Sequence, residues 1–352
     1  MASVTSHAQS ADLCTPPKNL NDGWQTNHIG TQNIDTTLIA KLCQQLHTEE
    51  HLIHSVLLVR DKELVLEAYF GENNVSQPHD LRSATKSISA ILMGIAIDKG
   101  FITDVNDPIS KYLKELVPTK NLDERKAKIT IKYLLTMSTG LDCNDWDKNS
   151  KGQEDKIYKK KDWLPYFLNL EMVNEPGEVA NYCTMGQILA NKIIENASGM
   201  SIDVFAEKYL FEPLAVTNYR WGHTSKKEVI PAGKRLFMTS RDMAKIGQLI
   251  LNGGRWNDTQ IVSENWITAA TTLKTKITGI DYGYLWWNIP FSINNSIVVS
   301  KTATGNGGQY IMVFPELEMV AVFTGGAYNS QEDKIPFAIM QDIFLPTFIN
   351  LN

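Results

Sequence analysis

The sequence predicts a mixed α/β protein built on an antiparallel sheet flanked by helices, and three observations predict it. Near the start stand two β-rich runs, VLLVRD and ELVLEAYFG (Val56–Gly71), which meet at Asp61-Lys62-Glu63 as the arms of a hairpin. Near the end, SIVVSKTA (Ser296–Ala303), QYIMVF and MVAVFT alternate with the short turns Thr304–Gly308 and Pro315–Glu318, the pattern of a β-meander. Between these β-rich ends, residues 82–216 are mostly helical in pattern.

Taken in order, residues 1–20 are polar and Pro-containing and read as a surface arm. From Ile34 to Glu50 the spacing of Leu38, Ile39, Leu42, Cys43 and Leu46 predicts an amphipathic helix. Its end, His47-Thr-Glu-Glu50-His51, matches the H-x-x-E-H pattern of some zinc proteases, but no further ligand is evident and it reads as a solvated face. After the hairpin, Ser83–Lys99 predicts a helix apolar on nearly every side and therefore buried, closed by Gly100. Thr130–Met137 is helical, and Ser138–Asp162 is a polar, densely charged stretch that reads either as a solvated insertion or as a lid. Asp142, Asp145 and Asp147 in that stretch are available to attract a cationic substrate, or to pair with Lys148, Lys151 and Lys156. A helix over Met185–Glu195 follows, with Thr184 and Gln187 spaced as a capping box. The last third adds helices at Thr239–Asn252 and Ser263–Leu273, a strand at Tyr282–Ile289, the meander, and a terminal helix over Asp333–Phe348.

The chemistry is concentrated at the start of the apolar helix. Ser83 and Lys86 stand at i and i+3, on one helical face, in the one Ser-x-x-Lys of the chain. A hydroxyl is a poor nucleophile at neutral pH, and a lysine enclosed in apolar surroundings is pushed toward the neutral form that can take its proton. The free N–H groups of a first helical turn also favour an anion developing beside Ser83.

Composition narrows the partners. With 34 basic and 39 acidic residues the net charge is −5, the signs are interspersed, and neither nucleic acid nor an anionic membrane meets a concentrated basic surface. Cys14, Cys43, Cys143 and Cys183 are scattered without a C-x-x-C pair, so neither a zinc knuckle nor a disulfide framework is expected. Residues 1–20 lack a basic n-region and an apolar h-region, and no run approaches a membrane span; the expectation is a cytoplasmic chain, or a periplasmic or secreted one had a leader been removed.

Several segments together resemble the serine β-lactamase superfamily and, within it, the class C-like esterases and the 6-aminohexanoate-dimer hydrolases. Ser83-Ala-Thr-Lys86 resembles the first family motif, Tyr182-Cys-Thr184 stands where the family has Tyr-x-Asn, and Ala303-Thr-Gly305 stands where many members have Lys-Thr-Gly or His-Thr-Gly. Supporting text runs from about Gln32 to Gly326, including LFEPLAVTN (Leu210–Asn218) and GGQYIMVFPE (Gly307–Glu316). The resemblance implies an α/β domain from residues 21–81 and 217–352, a mostly helical domain from 82–216, and an active-site cleft between them. It implies Ser83 as the acylated nucleophile, Lys86 as its base or poising group, and Tyr182 as the proton relay to the leaving group. The backbone N–H groups of Ser83 and Asn306 would form the oxyanion hole, and Thr184, Ala303, Gly305, Gly307 and Asp145 would border the substrate.

Two positions depart from the family pattern: Thr184 replaces an Asn that bonds a substrate amide, and Ala303 replaces a cation that clamps a carboxylate. Lys301, two residues earlier on the same strand face, could stand in for that cation, and a register with Lys301-Thr-Ala303 as the third motif stays open. The expected function is a serine hydrolase that cleaves a small ester or amide through an acyl-enzyme, with no metal or cofactor and an undetermined oligomeric state. Short esters are expected to be cleaved and penicillins poorly, because a substrate carboxylate beside the scissile carbonyl lacks its clamp. The alternatives are a catalytically retired binding protein on the same fold, or a β-lactamase or DD-peptidase using Lys301.

Overall fold

The computed structural model of the protein describes residues 16–222, 230–293 and 296–349; most of the arm expected over 1–20, Cys14 included, lies outside them. In chain order the strands are β1 (Gln25–Thr26), β2 (Ile53–Arg60), β3 (Glu63–Tyr69), β4 (His79–Asp80), β5 (Tyr219–Gly222), β6 (Arg235–Met238), β7 (Arg255–Trp256) and β8 (Thr259–Gln260). They continue with β9 (Thr275–Ile277), β10 (Ile280–Tyr282), β11 (Trp287–Ile293), β12 (Ser296–Gly305), β13 (Gln309–Phe314) and β14 (Met319–Gly325). The helices are α1 (Thr37–Thr48), α2 (Ala84–Asp98), α3 (Ile131–Leu135), α4 (Glu154–Ile157), α5 (Trp163–Leu168), α6 (Thr184–Ser198) and α7 (Ile202–Ala206), then α8 (Ser240–Leu251), α9 (Glu264–Thr271), α10 (Ile335–Ile339) and α11 (Leu345–Ile349).

The main sheet has nine strands in the order β1-β3-β2-β14-β13-β12-β11-β10-β9, antiparallel except where β1 joins β3. The early hairpin pairs with β14 through β2, so the two ends of the chain complete one sheet. Alternate side chains leave a strand on opposite faces, which is why two cores form. Leu57, Val59, Ile311, Val313, Val320 and Val322 belong to the core shared with α2 and α8. Val56, Leu58, Met312, Phe314, Ala321 and Phe323 belong to the core under α1 and the terminal helix. The hairpin turn uses Asp61 and Lys62 in left-handed conformation, φ 50° and 69°, the pair of positive angles that matches the twist of a two-residue hairpin.

Helix α2 is the hub that its composition demands, buried from Ala84 to Ala96. It packs on β12 and β13 on one side and on α6 and α9 on the other. Gly94 sits mid-helix because the Trp266 indole occupies its place: a Cβ there would lie 2.0 Å from Trp266 Cδ1. The same indole donates Nε1–H to the Ala90 carbonyl at 2.9 Å, so the glycine's propensity loss is exchanged for an aromatic lock.

One local expectation is corrected. The run Tyr282–Ile289 is not one strand: β10 ends at Tyr282, β11 starts at Trp287, and Leu285 between them adopts φ 59°. There the backbone is diverted, Tyr284 N–H to the Ala270 carbonyl and Leu285 N–H to that of Leu135. A second sheet, β4-β6-β5, joins the residues just before Ser83 to a distant segment through the pairs His79↔Met238 and Asp80↔Phe237.

Candidate active site

The turn that carries Ser83 is built from both sheets. β4 is held on β6, Leu81 N–H donates to the Leu236 carbonyl at 3.0 Å, and the chain then turns sharply through Arg82 at φ 50° into α2. A left-handed non-glycine residue costs on the order of 1 kcal/mol or more and persists only when its surroundings over-determine it. Arg82 is so determined: its N–H donates to Asp80 Oδ1 at 3.0 Å, its Nε lies 2.9 Å from Asp80 Oδ2, and its guanidinium sits 4.6 Å over the Tyr328 ring. Gly305, at the end of β12, lies against this turn; a Cβ there would be 2.2 Å from the Leu81 carbonyl oxygen, so only glycine lets β12 come this close. As a result Asn306 arrives beside Ser83. Among the described residues the N–H groups of Ser83 and Asn306 donate to no backbone carbonyl, and the Asn306 side chain is fixed by a reciprocal pair of bonds with Asn329, 2.8 and 2.9 Å. Gly307, at φ 93°, turns the chain into its bridge with Ala327.

Lys86 Nζ lies 3.1 Å from Ser83 Oγ, and the lysine is only 5% exposed. Burial alone pushes its pKa down, as the sequence suggested, but Tyr182, Glu154 and Asp145 together outweigh burial and hold the pKa above the ordinary lysine value. Lys86 is therefore an ammonium in the resting site rather than a neutral base. Tyr182 is its hydrogen-bond partner, and the lysine also sits 5.1 Å over that ring.

The stretch Ser138–Asp162 furnishes much of the rest. Trp146, 55% exposed, stacks parallel on Tyr182 with centroids 4.9 Å apart, and Trp287 packs against both, 6.0 Å from Tyr182 and 6.3 Å from Trp146. Cys143 and Cys183 form a disulfide that bolts this stretch to the Tyr182 turn. That corrects the expectation from scattered cysteines: the two are 40 residues apart and are brought together by the fold, not by a local motif. Asp145 Oδ2 accepts from the N–H and the hydroxyl of Thr184, both at 2.7 Å, and Asp145 Oδ1 accepts from Glu154 N–H at 3.1 Å. Asp145 rather than a Thr184 capping box thus satisfies the start of α6, and Gln187 donates instead to Ser89 Oγ. Burial, then the neighbouring Glu154, raises Asp145 to about 6, against the pull of Lys86 and Thr184. Among the described residues no ion pair joins Asp142, Asp145 or Asp147 to Lys148, Lys151 or Lys156: Lys151 bridges to Glu171 at 2.7 Å and Lys156 donates to the Lys148 and Ser150 carbonyls.

A cavity of about 330 Å³ opens over this arrangement, lined among others by Ser83, Lys86, Thr184, Asn306, Glu154 and Arg235. Ala303 is fully buried and, like Lys301, is not on its wall; Lys301 donates to Asn288 Oδ1 at 2.6 Å. A larger groove of about 670 Å³, around Leu113, Leu116 and Leu168, is apolar and holds none of these groups. At the H-x-x-E-H match, His47 and His51 each place a ring nitrogen on a backbone carbonyl, of Cys43 and Leu46, and both rings edge onto Phe70. Sequence reasoning passed over Glu154, Tyr158, Trp146, Arg82 and Arg235. The available signals were Glu154 and Tyr158 four apart and a lone tryptophan in a polar stretch; Arg235 had none, because only the pairing of β6 with β4 brings it here.

Residues 43–337 match the profile of the Beta-lactamase family. The chain belongs to the beta-lactamase family. It is 22% identical over 247 residues to the 6-aminohexanoate-dimer hydrolase of Paenarthrobacter ureafaciens, an alignment covering 67% of this chain and 61% of that protein, about three fifths of its length. It is 24% identical over 186 residues to the monacolin J acid methylbutanoyltransferase of Aspergillus terreus, covering 48% and 44% of the two chains. Among solved structures, a hydrolase with promiscuous acyltransferase activity superposes with TM-score 0.68 at 12% identity, covering 88% of this chain and 98% of that one. A class C beta-lactamase superposes with TM-score 0.63 at 16% identity, covering 88% and 95%. The fold of this beta-lactamase-family chain is thus that of the serine beta-lactamases and penicillin-binding proteins. Among its described residues no helix is long and apolar enough to cross a membrane.

Proposed function

We propose that the protein is a serine hydrolase that cleaves a carboxylic ester or amide bond of a small substrate through an acyl-enzyme on Ser83. The observation that carries this reading is the 3.1 Å contact of Lys86 Nζ with Ser83 Oγ at the wall of an open cavity. Ser83 Oγ attacks the carbonyl carbon as its proton passes to Lys86, which first gives up its ammonium proton to solvent, and the Tyr182 hydroxyl bonded to Lys86 relays a proton from it to the leaving group. The carbonyl oxygen, now an anion, is received by the N–H groups of Ser83 and Asn306, groups with no other backbone acceptor among the described residues. As the tetrahedral centre collapses, the bond to the alcohol or amine breaks and the leaving group takes the proton from the pair; water then repeats the sequence on the acyl-enzyme. The activities named for the relatives, a dimer hydrolase and an acyltransferase, both fit an acylated serine.

The test is intact-mass spectrometry after exposure to a fluorophosphonate. A single adduct that maps to Ser83 and is absent from Ser83→Ala is the expected result. An unmodified wild-type protein, or an adduct retained in Ser83→Ala, removes the proposal.

A further inference from the structure

Three basic residues, Arg82, Lys234 and Arg235, line the cavity. Lys234 has its own carboxylate, Asp203, at 2.7 Å. The two arginines do not. Both reach the same oxygen of the same residue, Asp80 Oδ2, Arg82 through Nε at 2.9 Å and Arg235 through Nη2 at 3.1 Å. Asp80 Oδ1 is taken by the Arg82 N–H. Two guanidiniums thus share one carboxylate, and among the described residues one positive charge is left without a counter-ion. The Nε of each is also buried without a well-aligned hydrogen-bond acceptor among those residues, while their side chains stay 34% and 23% exposed toward solvent. An under-compensated guanidinium pair beside a small cavity suits an anion, because the planar fork of arginine presents several donors to a carboxylate at once.

The acidic groups of the cavity have partners of their own. Glu154 Oε2 accepts from Thr184 and Tyr158, Asp145 is taken up by Thr184 and Glu154 N–H, and both face the Lys86 ammonium. Neither is paired with Arg82 or Arg235, which share Asp80.

We infer that Arg82 and Arg235 form an anion subsite that selects ester or amide substrates carrying a carboxylate, in place of the clamp that Ala303 does not provide. The inference rests on the serine hydrolase reading for its substrate but not for its binding. A carboxylate is thus received at the mouth of α2, from the β4-β6 side of the cavity, and not from the third motif.

Two esters that differ by one methyl group test it, p-nitrophenyl hemisuccinate and its methyl ester. The wild type should favour the free carboxylate by about tenfold or more in kcat/KM, the preference should fall with added salt, and Arg235→Gln should lower it about tenfold, chiefly through KM. Arg235→Lys should keep an intermediate preference, and Lys301→Ala should keep the wild-type ratio. Binding of monomethyl succinate to the Ser83→Ala protein, by calorimetry, reads the subsite without turnover: it should weaken about tenfold when Arg235→Gln is added to a chain that still melts cooperatively. Wild-type indifference to the carboxylate, or a ratio and an affinity unmoved by Arg235→Gln, overturns the inference. Loss of all turnover and labelling with arginine-dependent binding retained would instead sink the hydrolase reading and leave the subsite standing.

Discussion

The two sides of the candidate active site are mounted differently. Ser83 and Lys86 stand on α2, a helix buried over almost its whole length and wedged between the sheet, α6 and α9. Tyr182, Asp145 and Trp146 stand on irregular chain, with Thr184 at the start of α6, held by one disulfide, one aromatic stack and a few hydrogen bonds to carboxylates. Position is inherited from the core on the first side and assembled from discrete ties on the second. It follows that the first side should fail chemically when altered, and the second should fail by losing alignment.

The sharpest separation of the two should come from Ser83→Ala and Lys86→Ala. Each is expected to remove turnover of p-nitrophenyl esters by at least about a thousandfold, and their double mutant to be scarcely worse, because residues acting as one unit are not additive. Wild-type kinetics in Ser83→Ala would remove α2 from the chemistry. Next, Tyr182→Phe keeps the ring in contact with Trp146 and Trp287 and deletes only the oxygen, so kcat should drop about a hundredfold or more with little change in melting temperature; ordinary kinetics would make Tyr182 a packing residue. A third variant, Cys143→Ala with Cys183→Ala, tests the ties themselves. Closing a 40-residue loop is worth up to about 4 kcal/mol by chain entropy, so melting should move down by several degrees and kcat by about tenfold. Unchanged kinetics would show that the stack and hydrogen bonds suffice.

The smallest effect is expected in the pH dependence of stability. Asp145 is raised from 3.8 to about 6, first by burial and then by Glu154. A carboxyl so raised leaves the native state holding the extra proton between those values, so its contribution to stability is present at low pH and is lost as pH rises through about 6. Asp145→Asn should therefore flatten the melting temperature between pH 4 and 7 relative to wild type. Parallel profiles would show that the Asp145 carboxyl is not tuned by its surroundings.

The same division explains which parts of the fold and of the site are legible in the amino-acid sequence. Ser83, Lys86 and the burial of α2 follow from spacing within one helix, which is local information. The hairpin and meander are legible for the same reason, each closed by a short turn. Tyr182 and the Asn306 turn come through the family resemblance, since nothing nearby marks a tyrosine before a helix as more than packing. The disulfide, Trp146 over Tyr182, Glu154 beside Lys86 and the Arg82–Arg235 pair are illegible, because each joins residues that only tertiary pairing brings together. The break at Gly283–Trp286 escapes sequence reasoning because an aromatic-rich run satisfies strand propensity while its backbone bonds are drawn to Ala270 and Leu135.

The Cys143–Cys183 link closes a covalent ring around Asp145, Trp146, Glu154, Tyr158 and Tyr182. Its two ends are fixed beside each other, while the helix that carries Lys86 lies outside it and is held by the sheet. Such a ring moves as a tethered unit: a shift anywhere along it reaches Tyr182 and the carboxylates facing Lys86 together.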